Sequence, residues 1–237
     1  MISGKSFSER CQWVVDPRYP DRPPFQYARA KNGDWVFVNG DYLAWLARQF
    51  PLLAVKRFVF VVHNSDRSFG DSELRRLLPH ARHIYAINTT IAHPRLTTIP
   101  LGFVDCQLPF LETFVPEQCE RTIEIYQNFT ALTNAPKRNE CARAFANDPR
   151  VTVREGLTVP EYYADLCRSK FVLCPEGTGL DTHRVYEALL CGATPVVVQN
   201  ALAPLYERLP ICILDAWNDP LFIPNRNAFQ TESVKYI

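Results

Sequence analysis

Short apolar runs alternate with longer stretches of helical pattern along most of the chain. In the first half the pattern predicts strands at residues 35–38, 58–62, 83–87 and 97–100, with helices at 41–50 and 71–78. In the second half it predicts strands at 123–132, 151–153, 171–174, 195–198 and 211–214, with helices at 137–146, 160–168 and 182–191. Continuously apolar strands separated by helices are typical of a parallel sheet covered on both faces. The sequence therefore predicts an α/β fold.

A stretch at residues 109–120 separates the two halves of this pattern and carries Pro109, Pro116 and three glutamates. We interpret it as the connection between two small Rossmann-like domains that face one another across a cleft. The first spans residues 1–118 and the second residues 119–237. Ligands of open parallel sheets bind beyond the carboxyl ends of the strands. The candidate functional residues are therefore those that follow each predicted strand.

Composition and charge narrow the class of protein. The chain has 237 residues, of which 47% are hydrophobic and 22% are charged, as in soluble globular proteins. Its 26 Lys and Arg nearly balance its 25 Asp and Glu, so it lacks the excess positive charge that nucleic-acid binding needs. No apolar run could span a membrane, no signal peptide is visible, and the eight cysteines include no Cys-x-x-Cys pair. We therefore expect a cytoplasmic protein with reduced thiols, no membrane span and no nucleic-acid partner.

The most informative local pattern is an apolar strand, a glycine-containing loop and a helix at residues 170–192. Gly177 and Gly179 allow backbone turns that are closed to other residues and let a ligand approach the main chain. Asp181 or Thr182 is placed to cap the helix, whose free amide groups and dipole favour an anion. The pattern therefore predicts an anion site at this loop.

Three polar residues, His183, Arg184 and Glu187, fall on one arc of that helix. A guanidinium at a helix N-terminus suits a diphosphate because it pairs with two oxygens and keeps its charge. A carboxylate one turn further along can accept hydrogen bonds from the vicinal hydroxyls of a ribose. The arc favours a site for a nucleoside diphosphate. Taken alone, Arg184 and Glu187 also fit an ordinary surface pair, and His183 fits a core histidine.

The pattern Pro-x-Gly-x-Gly-x-Asp-x-His-Arg, followed by Glu-Ala-Leu, a glycine and Pro-Val-Val, resembles the donor-binding half of the exostosin-like glycosyltransferases, including short soluble forms from large viruses. The similarity covers residues 58–219 and is dense from 126 to 210. The resemblance implies a GT-B fold, with Arg184 on the donor diphosphate, Glu187 on the ribose, and Asp181 and His183 near the transferred sugar. It also places the loop residues Gly177, Thr178 and Gly179 at the donor. Many relatives have a basic residue where this chain has Glu176.

A second group of candidates follows the strand predicted at 123–132. Asn134, Lys137 and Arg138 open the next helix, from where they could reach the same diphosphate. The alternative is a capped helix with a solvated basic first turn. Basic residues oppose the helix dipole there, which favours a ligand.

In the first half, the strand predicted at 58–62 ends in His63-Asn-Ser-Asp66, where a facing domain would present groups to an acceptor. Asp66 is the candidate general base, which would take the proton of the acceptor hydroxyl. His63 is the alternative base. Asp66 also fits a turn residue with no catalytic role.

The chain contains no Asp-x-Asp and no metal-ligand spacing of His with Cys. We therefore predict a metal-independent glycosyltransferase without a cofactor, in which basic side chains replace the ion. It would move a hexosyl or pentosyl group from a nucleotide diphosphate, UDP being favoured, to a hydroxyl of a glycan or glycoside acceptor. Gly179 stands eight positions before Glu187, where many retaining GT-B enzymes carry a second glutamate, which favours inversion. The alternatives are a fucosyltransferase-like enzyme that uses GDP-fucose and a non-catalytic nucleotide- or glycan-binding protein of the same fold.

Overall fold

Ten parallel strands, five in each of two sheets, form the framework of the chain in a computed structural model that describes residues 1–51, 53 and 55–219. The chain divides into two units, one from Met1 to Asp105 and one from Cys106 onward, and each unit contains one sheet. The prediction of an α/β fold with two Rossmann-like domains is confirmed. The assignments of residues 1–118 to an acceptor and 119–237 to a donor, and the cleft between them, stay predictions.

The first unit has its strands in chain order. The strands are β1 (Trp13–Val15), β2 (Trp35–Asn39), β3 (Phe58–His63), β4 (Ala81–Ala86) and β5 (Leu96–Thr98), and the sheet order is β1-β2-β3-β4-β5. The helices are α1 (Gly4–Arg10), α2 (Leu43–Ala47) and α3 (Asp71–Leu77), with short 3-10 turns at Gly40–Tyr42 and Leu78–His80. A further 3-10 turn spans Asp105–Gln107. Because each strand pairs with the next, the described part of this sheet contains no reversal of strand order.

Alternate residues of the first sheet serve two separate cores. Val36, Val38 and Phe60 face the leucines of α2 and α3, whereas Phe37 and Val61 face the opposite core. Sequence reasoning missed α1 and β1. The reciprocal hydrogen bonds of Ser3 and Ser6 mark the start of α1, and β1 is too short to produce a pattern of its own.

The second unit contains β6 (Ile123–Gln127), β7 (Val151–Val153), β8 (Ser169–Leu173), β9 (Thr194–Val198) and β10 (Cys212–Leu214). Its helices are α4 (Leu108–Leu111), α5 (Ala135–Ala144), α6 (Val159–Cys167), α7 (His183–Leu190) and α8 (Ala203–Tyr206), with a 3-10 turn at Ala131–Thr133. The strand predicted at 123–132 was too long. It ends at Gln127 because the following residues turn away, and Phe129 enters the core beside Phe145 and Trp217.

The second sheet has the order β10-β9-β8-β6-β7, so the order in which the chain adds strands to the sheet reverses beside β6. The chain leaves β6 towards β7 on one side, and it leaves β8 towards β9 on the other. Right-handed crossovers then place α5 and α7 on opposite faces of the sheet. In sheets of this order, ligands usually bind at the carboxyl edge, where the loops after β6 and β8 lie. We call this place the switch point.

Within the described residues, no helix has both the length and the apolar character that crossing a lipid bilayer requires.

Candidate functional site

The glycine loop after β8 lies at the switch point and is tied to the start of α5. Asn134 Nδ2 donates a 2.8 Å hydrogen bond to the carbonyl oxygen of Gly177, and Thr178 Oγ1 donates at 3.3 Å to the carbonyl of Thr133. Asn134 also caps α5, because its Oδ1 accepts from the amide of Lys137 at 3.3 Å. The structure thus brings Asn134, Gly177 and Thr178 together, and the Asn134 amide fixes the loop. Their predicted contact with a donor stays a prediction.

Gly177 packs closely against the side chain of Arg138 and does not use an unusual backbone angle. Its φ is not in the left-handed region, and a Cβ atom at this position would lie 3.2 Å from Nη2 of Arg138. The expectation that this glycine supplies a turn closed to other residues is therefore wrong. Gly179 is buried in the same loop, and Lys137 on α5 is exposed.

Arg138 and Arg184 bring two guanidinium groups to the switch point from opposite faces of the sheet. Cζ of Arg138 lies 6.0 Å from the ring centroid of Phe129, and Cζ of Arg184 lies 5.8 Å from it. Arg138 is only 8% exposed and donates to the carbonyl oxygens of Thr130 at 2.7 Å and Glu176 at 3.3 Å. Nε of Arg184 is buried and has no hydrogen-bond partner within the described residues.

The two guanidinium groups repel each other. Burial lowers the pKa of Arg138, and the positive charge of Arg184 lowers it further. Among residues 1–51, 53 and 55–219, no carboxylate forms a salt bridge with either of them. A partly buried pair of like charges is costly unless an anion lies between them. The arrangement is therefore suited to a doubly charged anion such as a diphosphate.

Glu187 lies one turn into α7 and is held by α6. Its Oε2 accepts a 2.8 Å hydrogen bond from the hydroxyl of Tyr162, and its side chain is buried. Burial raises the pKa of Tyr162 well above its ordinary value, and the negative charge of Glu187 adds to this effect. In the described part of the chain Glu187 forms no salt bridge with Arg184, so the two are not the ordinary surface pair. Oε2 of this carboxylate is therefore already occupied by the hydrogen bond from Tyr162 if a ribose binds here.

Asp181 is buried beneath the loop. Oδ2 accepts from the hydroxyl of Tyr186 at 2.5 Å, and Oδ1 accepts from the hydroxyl of Tyr206 at 2.8 Å and from the amide of Thr182 at 2.9 Å. Helix α7 begins after Thr182, which is the N-cap residue although its side chain makes no capping hydrogen bond. Asp181 therefore anchors the loop to α7 and α8. Its predicted place near the transferred sugar, like that of the half-buried His183, stays a prediction.

A shallow open pocket lies on the α5 side of the loop. Its lining includes Lys137, Glu176 and Asn200, and Asn200 Nδ2 donates a 2.8 Å hydrogen bond to Oε1 of Glu176.

In the first unit, the two predicted catalytic residues differ sharply in environment. His63 is buried, and its ring nitrogens face the carbonyl oxygen of Leu101 at 3.1 Å and Oδ1 of Asn64 at 2.9 Å. Asp66 is exposed and does not line the pocket at the carboxyl ends of β2 and β3. That pocket is lined instead by Asp41, at the start of the turn that follows β2.

Sequence reasoning missed Phe129, Tyr162, Tyr206, Asn200 and Asp41. Phe129 lay inside the strand that was predicted too long, and Asp41 was assigned to a helix although it follows a strand end. The rule that ligands bind beyond strand ends would have selected both.

Within the described residues, no group of three or more His, Cys, Asp and Glu side chains could hold a metal ion. Metal independence and the lack of a cofactor stay predictions, because this finding does not address how the protein works.

Residues 111–227 match the family model described as the RXYLT1 C-terminal domain, which is a domain of a glycosyltransferase family. The matched range lies within the second unit and contains the whole Arg138–Arg184 site. The match supports a glycosyltransferase, and it does not point specifically to the exostosin-like or viral members. No curated protein sequence matches the chain.

Proposed function

We propose that the chain is a glycosyltransferase that transfers a sugar from a nucleoside diphosphate to the hydroxyl of a glycan or glycoside acceptor. The observation that carries the proposal is the pair of guanidinium groups of Arg138 and Arg184, which flank Phe129 at the switch point without a carboxylate partner among the described residues. The family match of residues 111–227 supports the same activity.

In this proposal the diphosphate of the donor lies between Arg138 and Arg184. The free amide groups at the N-terminus of α7 add donors at the same edge of the sheet. As the bond between the sugar and the diphosphate breaks, negative charge grows on the departing phosphate. Two fixed cations stabilise that charge more than they stabilise the bound donor, so they accelerate transfer.

Glu187 and Tyr162 form the ribose end of the donor site. The free oxygen of Glu187 accepts from one ribose hydroxyl, and Tyr162 keeps the carboxylate in place. The resemblance to exostosin-like enzymes favours UDP over GDP as the carrier. Gly179 stands where many retaining enzymes carry a second glutamate, which favours inversion.

A screen of nucleotide-sugar turnover tests the proposal. The full chain would be incubated with UDP- and GDP-linked hexoses and pentoses together with a panel of glycosides, and released nucleoside diphosphate and new glycosides would be measured. Arg143→Ala is the matched control for Arg184→Ala, because Arg143 is an exposed arginine of α5 outside the site. We expect turnover in the wild type and the control and its loss in Arg184→Ala.

Two results would contradict the proposal. If UDP and GDP bind but no donor is turned over, the chain is a non-catalytic nucleotide-binding protein. If turnover persists unchanged in Arg184→Ala, the diphosphate does not lie at the switch point. If the chain prefers GDP-fucose, the proposed transfer of a sugar stands and only the identity of the donor changes.

A further inference from the structure

The second unit contains two buried cysteines whose side chains meet where α6 and α7 end. Cys167 is the last residue of α6 and is 2% exposed, and Cys191 is the C-cap residue of α7 and is 3% exposed. A side-chain hydrogen bond joins the two thiols, and Sγ of Cys191 also lies 3.8 Å from the carbonyl oxygen of Tyr163, one turn before Cys167. The two sulfur atoms are therefore in contact, and both are free thiols in the structure.

The packing around the two thiols holds the helix ends in place. The hydroxyl of Tyr162 on α6 donates a 2.8 Å hydrogen bond to Glu187 on α7. The guanidinium group of Arg121 donates to the carbonyl oxygen of Ser169 and, at 2.9 Å, to that of Cys191. Gly192 has a φ of +69°, and a Cβ atom there would lie 2.7 Å from Nη2 of Arg121. Glycine therefore both ends α7 and leaves room for the guanidinium group.

The contact divides the two thiols into an attacking and a resolving partner. The hydrogen bond from Cys191 is the largest cause that lowers the pKa of Cys167 from its ordinary value of 9.0 to about 7. The amide of Glu117 and the charge of Arg121 also lower it, against the effect of burial. The same hydrogen bond, together with burial, raises the pKa of Cys191. At neutral pH Cys167 is therefore substantially a thiolate, the nucleophilic form of cysteine, while Cys191 keeps its proton.

Other buried cysteines have the opposite property. Burial raises the pKa of Cys11 and of Cys174 to about 12, and it also raises the pKa of Cys141. These thiols stay protonated near neutral pH and are poor nucleophiles. They serve as internal controls, because they are as buried as Cys167 and differ from it in reactivity.

A single irregular segment lies over Cys167. Residues 114–122 form neither helix nor strand, and residues 117–120 are exposed. The backbone amide of Glu117, within this segment, donates a hydrogen bond to the sulfur of Cys167. An exposed segment without regular structure opens more readily than a packed helix or strand. A small oxidant therefore has a short route to the thiol pair.

We propose that Cys167 and Cys191 form a redox-active dithiol, which a peroxide oxidises to a disulfide between the ends of α6 and α7. The thiolate of Cys167 attacks one oxygen of the peroxide, the O–O bond breaks, and Cys167 becomes a sulfenic acid. The sulfur of Cys191 then displaces hydroxide from the sulfenic acid, and the hydroxide takes the Cys191 proton to form water. In sum, two thiols are oxidised by two electrons, and one hydrogen peroxide is reduced to two waters. The proposal does not rest on the proposed function.

The disulfide should stabilise the second unit. It closes a loop of about 25 residues and so restricts the unfolded chain, which should raise the Tm by several degrees. The rise is expected because the sulfur atoms are already in contact, so little movement of α6 against α7 is needed to form the bond.

Mass spectrometry of the full chain tests the proposal. The reduced protein is treated with a small excess of hydrogen peroxide, the remaining thiols are alkylated, and the chain is digested with trypsin without reduction. Cleavage after Arg154, Arg168, Arg184 and Arg208 places Cys167 and Cys191 in separate peptides that contain no other cysteine. We expect these two peptides to be joined, with a mass lower by two hydrogen atoms than their sum, and to separate in dithiothreitol. Cys141 and Cys174 should be recovered as thiols, and the Tm should rise on oxidation and return on reduction.

Two variants identify the partners. Cys119→Ser is the matched control, because Cys119 is an exposed cysteine in the segment that lies over Cys167, and it should leave the disulfide unchanged. Cys191→Ser removes the resolving thiol, so oxidation of Cys167 should stop at the sulfenic acid, which dimedone traps. The wild-type digest decides the question even if Cys191→Ser folds poorly.

Three results would overturn the proposal. The first is recovery of Cys167 and Cys191 as thiols while the exposed Cys106 is oxidised. The second is a disulfide that joins Cys167 to Cys119 instead of Cys191. The third is a Tm that falls when the bond between Cys167 and Cys191 forms, because the two helix ends would then have to be forced together.

Discussion

Replacement of Arg184 by alanine should weaken donor binding strongly and leave folding almost unchanged. Hydrogen bonds to charged groups contribute about 1.5–3 kcal/mol each, so the loss of one guanidinium from the diphosphate corresponds to a roughly 10- to 150-fold rise in the Kd for UDP. Within the described residues, the buried Nε of Arg184 has no hydrogen-bond partner that the mutation would leave unpaired. What the protein itself loses is the contact with the Phe129 ring, which is worth about 0.5–1 kcal/mol.

The charge of Arg184 also acts on its neighbour. It contributes to the lowered pKa of Arg138, so its removal relieves repulsion in the unliganded protein. This gain offsets part of the lost ring contact. The free energy of unfolding should therefore change by less than about 1 kcal/mol, since the two small effects have opposite signs.

Isothermal titration calorimetry with UDP measures the affinity, and urea unfolding measures the stability. Arg143→Ala controls for the loss of one positive charge, because Arg143 is exposed on α5 away from Phe129. Its Kd for UDP should stay within about twofold of the wild type at physiological ionic strength. The reasoning is refuted if Arg184→Ala binds UDP as the wild type does, or if it loses affinity only because it unfolds.

Three further predictions concern groups that hold the two units in shape. Tyr162→Phe removes the hydroxyl that donates a hydrogen bond to Glu187. It should therefore weaken the binding of UDP several-fold but not that of inorganic pyrophosphate. Equal loss of affinity for both ligands in calorimetry would contradict the assignment of Glu187 to the ribose. Asp181→Asn disrupts a buried carboxylate that accepts hydrogen bonds from Tyr186, Tyr206 and Thr182, and it should lower the free energy of unfolding by about 2–4 kcal/mol in urea. A change below about 0.5 kcal/mol would show that Asp181 does not anchor the loop. Asp16 has a pKa below its ordinary value of 3.8, because hydrogen bonds from Arg18 and Asn64 outweigh the opposing effect of burial. Its stabilising effect is therefore complete above about pH 4 and is lost as pH falls through the lower, folded-state pKa, so unfolding curves of Asp16→Asn should be less sensitive to acid than those of the wild type, and equal sensitivity would contradict this.

The parallel sheets could be predicted because buried strands are apolar over their whole length and helices separate them. Strands such as Phe58–His63 and Thr194–Val198 are nearly continuous apolar runs, which a buried strand explains better than another secondary structure does. The end of β6 could not be placed in the same way. Phe129 is as apolar as a strand residue, but it packs beside Phe145 and Trp217 after the chain has turned. Tertiary packing decided where this strand ends.

The site could be predicted only in part for a related reason. The pattern indicated Arg184 and Glu187 because helical spacing places them on one arc. It could not show that Tyr206, twenty-five residues from Asp181, donates to that carboxylate, because this pairing depends on how α8 packs. The same holds for Asn134, whose amide reaches a carbonyl forty-three residues away in the sequence. Hydrogen bonds between distant segments carry no local signal.

A crystal structure of the chain soaked with UDP tests the central claim most directly. The account predicts that both phosphates lie at the carboxyl edge of the second sheet, between the guanidinium groups of Arg138 and Arg184, with a ribose hydroxyl on Glu187. Ordered UDP at any other place, with the two arginines untouched, would contradict it.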